Sequence, residues 1–162
     1  MWVKMKTLRR HITRQATFFV TVATYERQPI LLREGELLHD SWRGRELLAW
    51  VVLPEHFHAI VSLGDESVSD IMHGFKITYS RRYRKLHGPG RVWQNRFWDH
   101  VIRDKVDLNR HLDYIHYNPV HHGVATDPFQ YGLSSLLEWF NSGHYQRDWG
   151  IEEIKFEQDF GE

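Results

Sequence analysis

Three groups of residues have types and spacings that could do chemistry. The first is His56-Phe57-His58. On a strand, alternate side chains share a face, so the two imidazoles point one way while Phe57, Ala59 and Val61 point the other. Neutral imidazole is the commonest biological metal ligand, and two rings so placed can share one ion. Solvent on an open sheet face would also accommodate the pair. With 12 histidines in the chain its presence proves little, and its place inside an apolar stretch is the informative part.

The second group lies between Lys105 and Asn118. At about 100° per residue Leu108, Leu112 and Ile115 form an apolar face, and Asp107, His111, Tyr114 and Asn118 form a polar stripe bordering it. Tyr114 and Asn118 sit ~6 Å apart along a helix axis, so a phenol and a carboxamide could reach the same metal-bound phosphate. A tyrosine packed at the helix edge and an asparagine stopping the helix are the plainer account. On the same stripe Asp107 could orient His111, whose neutral ring could accept the phenolic proton of Tyr114. Alternatively, His111 contacts a phosphate or solvent.

The third group is basic. Arg81, Arg82, Arg84 and Lys85 end one helical stretch, with Arg96 between Trp93 and Trp98. Arginine forks suit phosphate, and aromatic rings among them suit stacked bases, although helix-dipole pairing and core packing explain them too. Residues 1–147 hold 20 Lys+Arg against 15 Asp+Glu, and residues 148–162 hold 1 against 6. Residues 1–15, with Lys4, Lys6, Arg9 and Arg10, contain no acid. The pattern suits a nucleic-acid-binding domain over 1–147 with a basic N-terminal arm, followed by an acidic tail over 148–162 without an assigned role; a normally solvated surface accounts for the charges equally well.

The elements that must position these groups follow from periodicity. Residues 16–25 read as a strand, 31–46 as a helix, 47–53 and 56–63 as strands joined by a tight turn at Pro54-Glu55. Residues 69–87 read as a helix stopped at Gly88, 91–103 as a strand, and 105–117 as a helix capped by Asp104 and ended at Asn118-Pro119. This βαββαβ order with an extra helix predicts an α+β, ferredoxin-like sandwich whose added C-terminal helix carries the tyrosine. Residues 125–147 add apolar cover. The absence of cysteine excludes disulfides and thiolate metal sites. No signal-peptide pattern is present, and the longest apolar run, 47–53, is too short to span a bilayer, so a cytoplasmic, nucleoid-associated protein without membrane partners is expected.

VVLPEHFHAIVSL, RVWQNRFWDHVIR and HLDYIHYNPVHHGV, in this order within that frame, resemble the single-tyrosine HUH transposases, and most of all their REP-associated branch. The resemblance runs from about residue 15 to residue 137. It implies a divalent-metal-dependent endonuclease and strand-transferase acting on single-stranded or palindromic hairpin DNA through a 5′-phosphotyrosine. Matched residue by residue, it implies His56, His58 and Asn118 as metal ligands, for Mg²⁺ or Mn²⁺, and Tyr114 as nucleophile. A monomer and a homodimer both fit the resemblance. A DNA-binding protein of this fold that does not cleave, and an RNA-binding module with aromatics on its sheet face, are the rival readings.

Overall fold

The computed structural model describes residues 16–162. Four strands form one antiparallel sheet: β1 (Thr17–Ala23), β2 (Leu47–Val52), β3 (His56–Ser62) and β4 (Trp98–Val101), in the order β2-β3-β1-β4. Between them run α1 (Gly35–Ser41) and α2 (Val68–His87), and after β4 come α3 (Lys105–His121) and the short α4 (Leu136–Asn141). The βαββαβ frame and the added helix are therefore those expected from periodicity. No helix among the described residues is long and apolar enough to cross a membrane.

Strand alternation divides the core in two. Val20, Val22, Phe57, Ala59 and Val61 pack with α1 and α2 through Leu38, Ile71, Met72, Phe75 and Tyr79. Phe19, Val51 and Ile60 pack on the other side with α3 through Leu108, Leu112 and Ile115. The three strands β1–β3 are thus covered on both faces, which leaves no open face for the base stacking that an RNA-binding sheet uses.

Three elements depart from the expected ones, each for a local reason. The helix expected over 31–46 breaks into a 3₁₀ turn, Leu31–Glu34, and α1, and its end is forced by left-handed backbone at Arg43 (φ 53°) and Gly44 (φ 72°). The strand expected over 91–103 shrinks to β4. Upstream of it the Lys76 ammonium donates to the carbonyls of Gln94, Asn95 and Arg96 at 2.9, 3.5 and 3.4 Å, which takes those groups out of any ladder. Lastly, α3 does not stop at Asn118. Pro119 removes one amide donor but sits inside the helix, and His122 N–H still reaches Asn118 O at 3.0 Å. The Asp104 cap is present, accepting from Asp107 N–H at 2.9 Å.

The far side of α3 is tied down by a buried polar network. Ser135 Oγ accepts from Trp50 N–H at 2.9 Å and donates to Trp50 O at 3.2 Å. Its one proton is therefore used, so His116 Nε2–H donates to Ser135 Oγ at 2.9 Å and His116 Nδ1 accepts from the Tyr145 hydroxyl at 2.8 Å. A neutral ring satisfies both bonds, and burial first, with His144 nearby, pushes the His116 pKa down to about 3. An unfolded histidine protonates at about 6.5. This network thus contributes stability above that pH and loses it as pH falls from about 6.5 toward 3. Urea unfolding from pH 7.5 to 4.5 should show a falling midpoint, and His116→Gln, which cannot titrate, should flatten part of that fall.

Candidate functional site

The β1–β3 register sets Thr21 opposite His58 and Ala23 opposite His56. Both histidines face α3, as the alternation predicts. They do not lie on an open face, however: α3 and the end of the chain cover them, and both are 0% exposed. Their rings are 4.9 Å apart. Opposite them α3 presents Tyr114, whose ring is 5.2 Å from that of His58, and Asn118, also fully buried. Tyr117 lies elsewhere, against Trp149 and Phe156.

The acidic tail enters this space. Phe160 stacks on Tyr114 at 3.8 Å with the rings nearly parallel, and its carbonyl accepts from the Thr21 hydroxyl at 2.6 Å. Glu162 then sets its carboxylate among the site residues. Oε1 is 2.7 Å from His58 Nε2 and 3.3 Å from His56 Nε2, and it accepts from Asn118 Nδ2 at 3.0 Å. Oε2 is 2.7 Å from His122 Nε2. Burial alone would raise the Glu162 carboxyl, but hydrogen bonding to its imidazole neighbours, that of His122 first, outweighs it and holds the group below the usual carboxylate range. Burial raises the Tyr114 hydroxyl, and the neighbouring Glu162 raises it further.

Proton counting shows a surplus of acceptors. The Thr21 proton goes to Phe160 O, so Thr21 Oγ1 accepts from His58 Nδ1–H at 2.8 Å, and the His58 Nε2 lone pair faces Glu162. Burial keeps this ring neutral, with a pKa pushed down to about 4. His56 Nδ1–H donates to the Glu55 carboxylate at 3.1 Å, which aims a second lone pair inward. His56 Nε2 and Asn118 Oδ1, both buried, have no hydrogen-bond partner among the described residues. Two imidazole lone pairs and a carboxylate around one point call for a cation or shared protons, and the Asn118 amide oxygen beside them is unpaired among the described residues.

The other expected site residues separate. His111 is buried, and its Nδ1–H donates to the Asp107 carbonyl at 2.8 Å while Asp107 Oδ1 lies 3.3 Å away. Burial lowers its pKa, so the ring is neutral. No hydrogen bond joins it to Tyr114; Phe160 packs against both rings, 5.1 Å from His111. His100, not anticipated as a partner, stacks on His111 at 4.7 Å and sits 2.9 Å from Asp107 Oδ2. Arg81, Arg84 and Lys85 join Lys76 and Arg91 along a cleft of about 660 Å³ between α2 and residues 91–95. Arg82 turns instead toward Asp40, 3.6 Å away, and Arg96 is exposed outside the cleft. Lys4, Lys6, Arg9 and Arg10 lie outside the described residues. The cleft is on the α2 side of the sheet and the histidine pair on the α3 side.

Periodicity could have flagged Thr21, a polar residue within a buried strand, and His122, four residues beyond Asn118. Nothing local marks Glu55 or Glu162 as part of the site.

A ferredoxin-like sheet that presents a His-x-His pair to a helix-borne tyrosine and carboxamide has the architecture of an HUH-type transposase domain. The IS200-like transposase family matches residues 36–118, and the chain belongs to that family. It is 34% identical over 161 residues to the REP-associated tyrosine transposase of Escherichia coli K12, covering 94% of this chain and 95% of that protein. A solved structure of a REP-associated tyrosine transposase bound to a REP hairpin superposes with a TM-score of 0.77 at 32% identity, over 91% of each chain.

The stacking of Phe160 and the anchoring of Glu162 predict cooperative docking of the tail. Phe160→Ala, which removes a ring worth about 3–5 kcal/mol when buried, should bring amide exchange of residues 156–162 close to that of a free peptide. Protection of β1 and β3 should remain.

Proposed function

We propose that the chain is a metal-dependent transposase that cuts and rejoins single-stranded DNA beside a palindromic hairpin through a tyrosine–DNA intermediate. The observation that carries this reading is the convergence of His56, His58, Asn118 and Tyr114 on one buried, acceptor-rich point. An anion-bearing segment already occupies it, as a scissile phosphodiester would. The relative of known structure, bound to a REP hairpin, supports the same class of substrate.

His56, His58 and Asn118 would hold the ion, Mg²⁺ or Mn²⁺, with Asn118 turning its amide so that Oδ1 faces the site. When bound, the ion supplies Lewis-acid polarisation of the phosphate. Glu55 and Thr21 hold the imidazoles in the tautomer that offers Nε2. For Tyr114 to reach a phosphate, Phe160 and Glu162 must withdraw. Its hydroxyl then bonds to phosphorus, the bond from phosphorus to the 3′-oxygen breaks, and that oxygen takes a proton to leave as a 3′-hydroxyl. The 5′-phosphate stays on Tyr114, and a second 3′-hydroxyl reverses the exchange without further energy input. Because Nδ1–H of His111 is committed to Asp107, its Nε2 lone pair is the acceptor on this stripe for the phenolic proton once Phe160 has moved. The cleft formed by Lys76, Arg81, Arg84, Lys85 and Arg91 binds the phosphate backbone of the hairpin. Lys76, pushed down to about 8 by burial, serves there mainly to pin residues 94–96.

Tyr114→Phe should abolish the detergent-resistant protein–DNA adduct formed with a hairpin carrying single-stranded flanks and leave affinity within about twofold. Adduct formation that survives Tyr114→Phe and is lost in Tyr117→Phe would overturn the assignment. Because both histidines are fully buried, His56→Gln and His58→Gln are the informative changes; alanine would leave cavities and confound folding with chemistry.

Binding should weaken with salt, at a slope of about −0.7 per single-strand phosphate contact. Replacing Arg81, Arg84 and Arg91 together with Ala should flatten the log–log slope by about 3, because each contact to the duplex stem of the hairpin carries about −0.9. An unchanged slope would place the DNA on another surface, such as the N-terminal arm with Lys4, Lys6, Arg9 and Arg10.

A further inference from the structure

The stripe that presents Tyr114 and Asn118 continues for one more turn. Because α3 runs through Pro119, His122 arrives at the helix end on the same side, held by its N–H bond to Asn118 O. Its ring packs edge-on to His56 at a centroid distance of 5.1 Å. One ligand atom from each of His56, His122 and Glu162 lies within 4.8 Å of the others. His122 Nε2 lies on the second oxygen of the carboxylate whose first oxygen lies between His56 and His58.

We propose that His122 is a further ligand of the cation held by His56 and His58, giving the site three imidazoles and an amide oxygen. This rests on the metal reading above. The two strand histidines are sealed from solvent, whereas the His122 side chain is 27% exposed, so it closes the pocket from its open side. A helix-end residue can move toward an ion with little change to the sheet. The strand histidines, locked by Glu55 and Thr21, cannot. Three neutral imidazoles add no charge to offset a hard ion, so the set favours Mn²⁺ and later first-row ions over Mg²⁺.

The alternative is that His122 only clamps the tail, as a cationic partner of Glu162. Removing the tail carboxylate separates the two. The probe is Co²⁺ alone, because its visible absorption reports the number and type of ligands without any reaction. It is titrated into the full chain by calorimetry and spectroscopy. In a Glu162→Gln background, His122→Ala should lower Co²⁺ affinity by at least about tenfold and shift the visible band. His122→Asn, which keeps a weaker oxygen or nitrogen ligand, should fall between. Wild-type affinity and spectrum in both His122 variants would overturn the proposal. His56→Gln and His58→Gln serve as controls. If they abolish Co²⁺ binding while His122→Ala does not, only the His122 assignment falls; if they too leave it unchanged, the metal reading itself fails. Far-UV circular dichroism of each variant verifies the fold, which an exposed helix-end substitution should preserve.

Discussion

The site depends on the antiparallel register between β1 and β3. It sets Thr21 beside His58, so that one hydroxyl both receives the Nδ1 proton and binds the Phe160 carbonyl. A slip of one residue would turn both histidines into the α2 face and bring Phe57 against α3. The large side chains that hold the register, Phe19 and Ile60 on one face and Val22, Phe57 and Val61 on the other, are therefore what aims the imidazoles. The Leu53–His56 turn, closed by Leu53 N–H to His56 O at 2.8 Å, starts β3 at the residue that matters.

Given that register, the electrostatics follow from burial. Burial drives the His58 imidazole toward neutrality, and its inner nitrogen becomes a lone pair without a donor. The tail supplies an anion to the same place, and the carboxylate stays ionised because His122, on the solvent side, holds it. Phe160, stacked on Tyr114, covers the ring whose hydroxyl is the proposed nucleophile. On the proposed reading, a substrate reaching Tyr114 replaces both a flat ring and an anion, and a nucleotide has both.

The basic cleft and the histidine pair lie on opposite sides of the sheet, connected by residues 94–98 leading into β4. Lys76 holds the first part of that connection by three carbonyls, and Thr24 bridges to Trp93 at its start. Trp98, on the edge strand β4 that this connection enters, is 40% exposed.

Sequence alone determined what depends on local period. The alternation in 56–61 put His56 and His58 on one face, and the helical repeat put Tyr114 and Asn118 on one stripe. Those relations hold within any strand or helix, because backbone geometry imposes them. The order of strands and helices followed in the same way. Tertiary structure decided what those faces meet. His58 and Glu162 are 104 residues apart, and no periodicity connects them. The burial of the histidines depends on α3 and the tail lying over them, and the division of the arginines between cleft and Asp40 depends on how α1 packs beside α2. The shortening of 91–103 to four residues depends on one lysine from another element. Local patterns specify directions; which group stands at the end of each direction is set by contacts between segments far apart in the chain, and these form only when the whole domain packs.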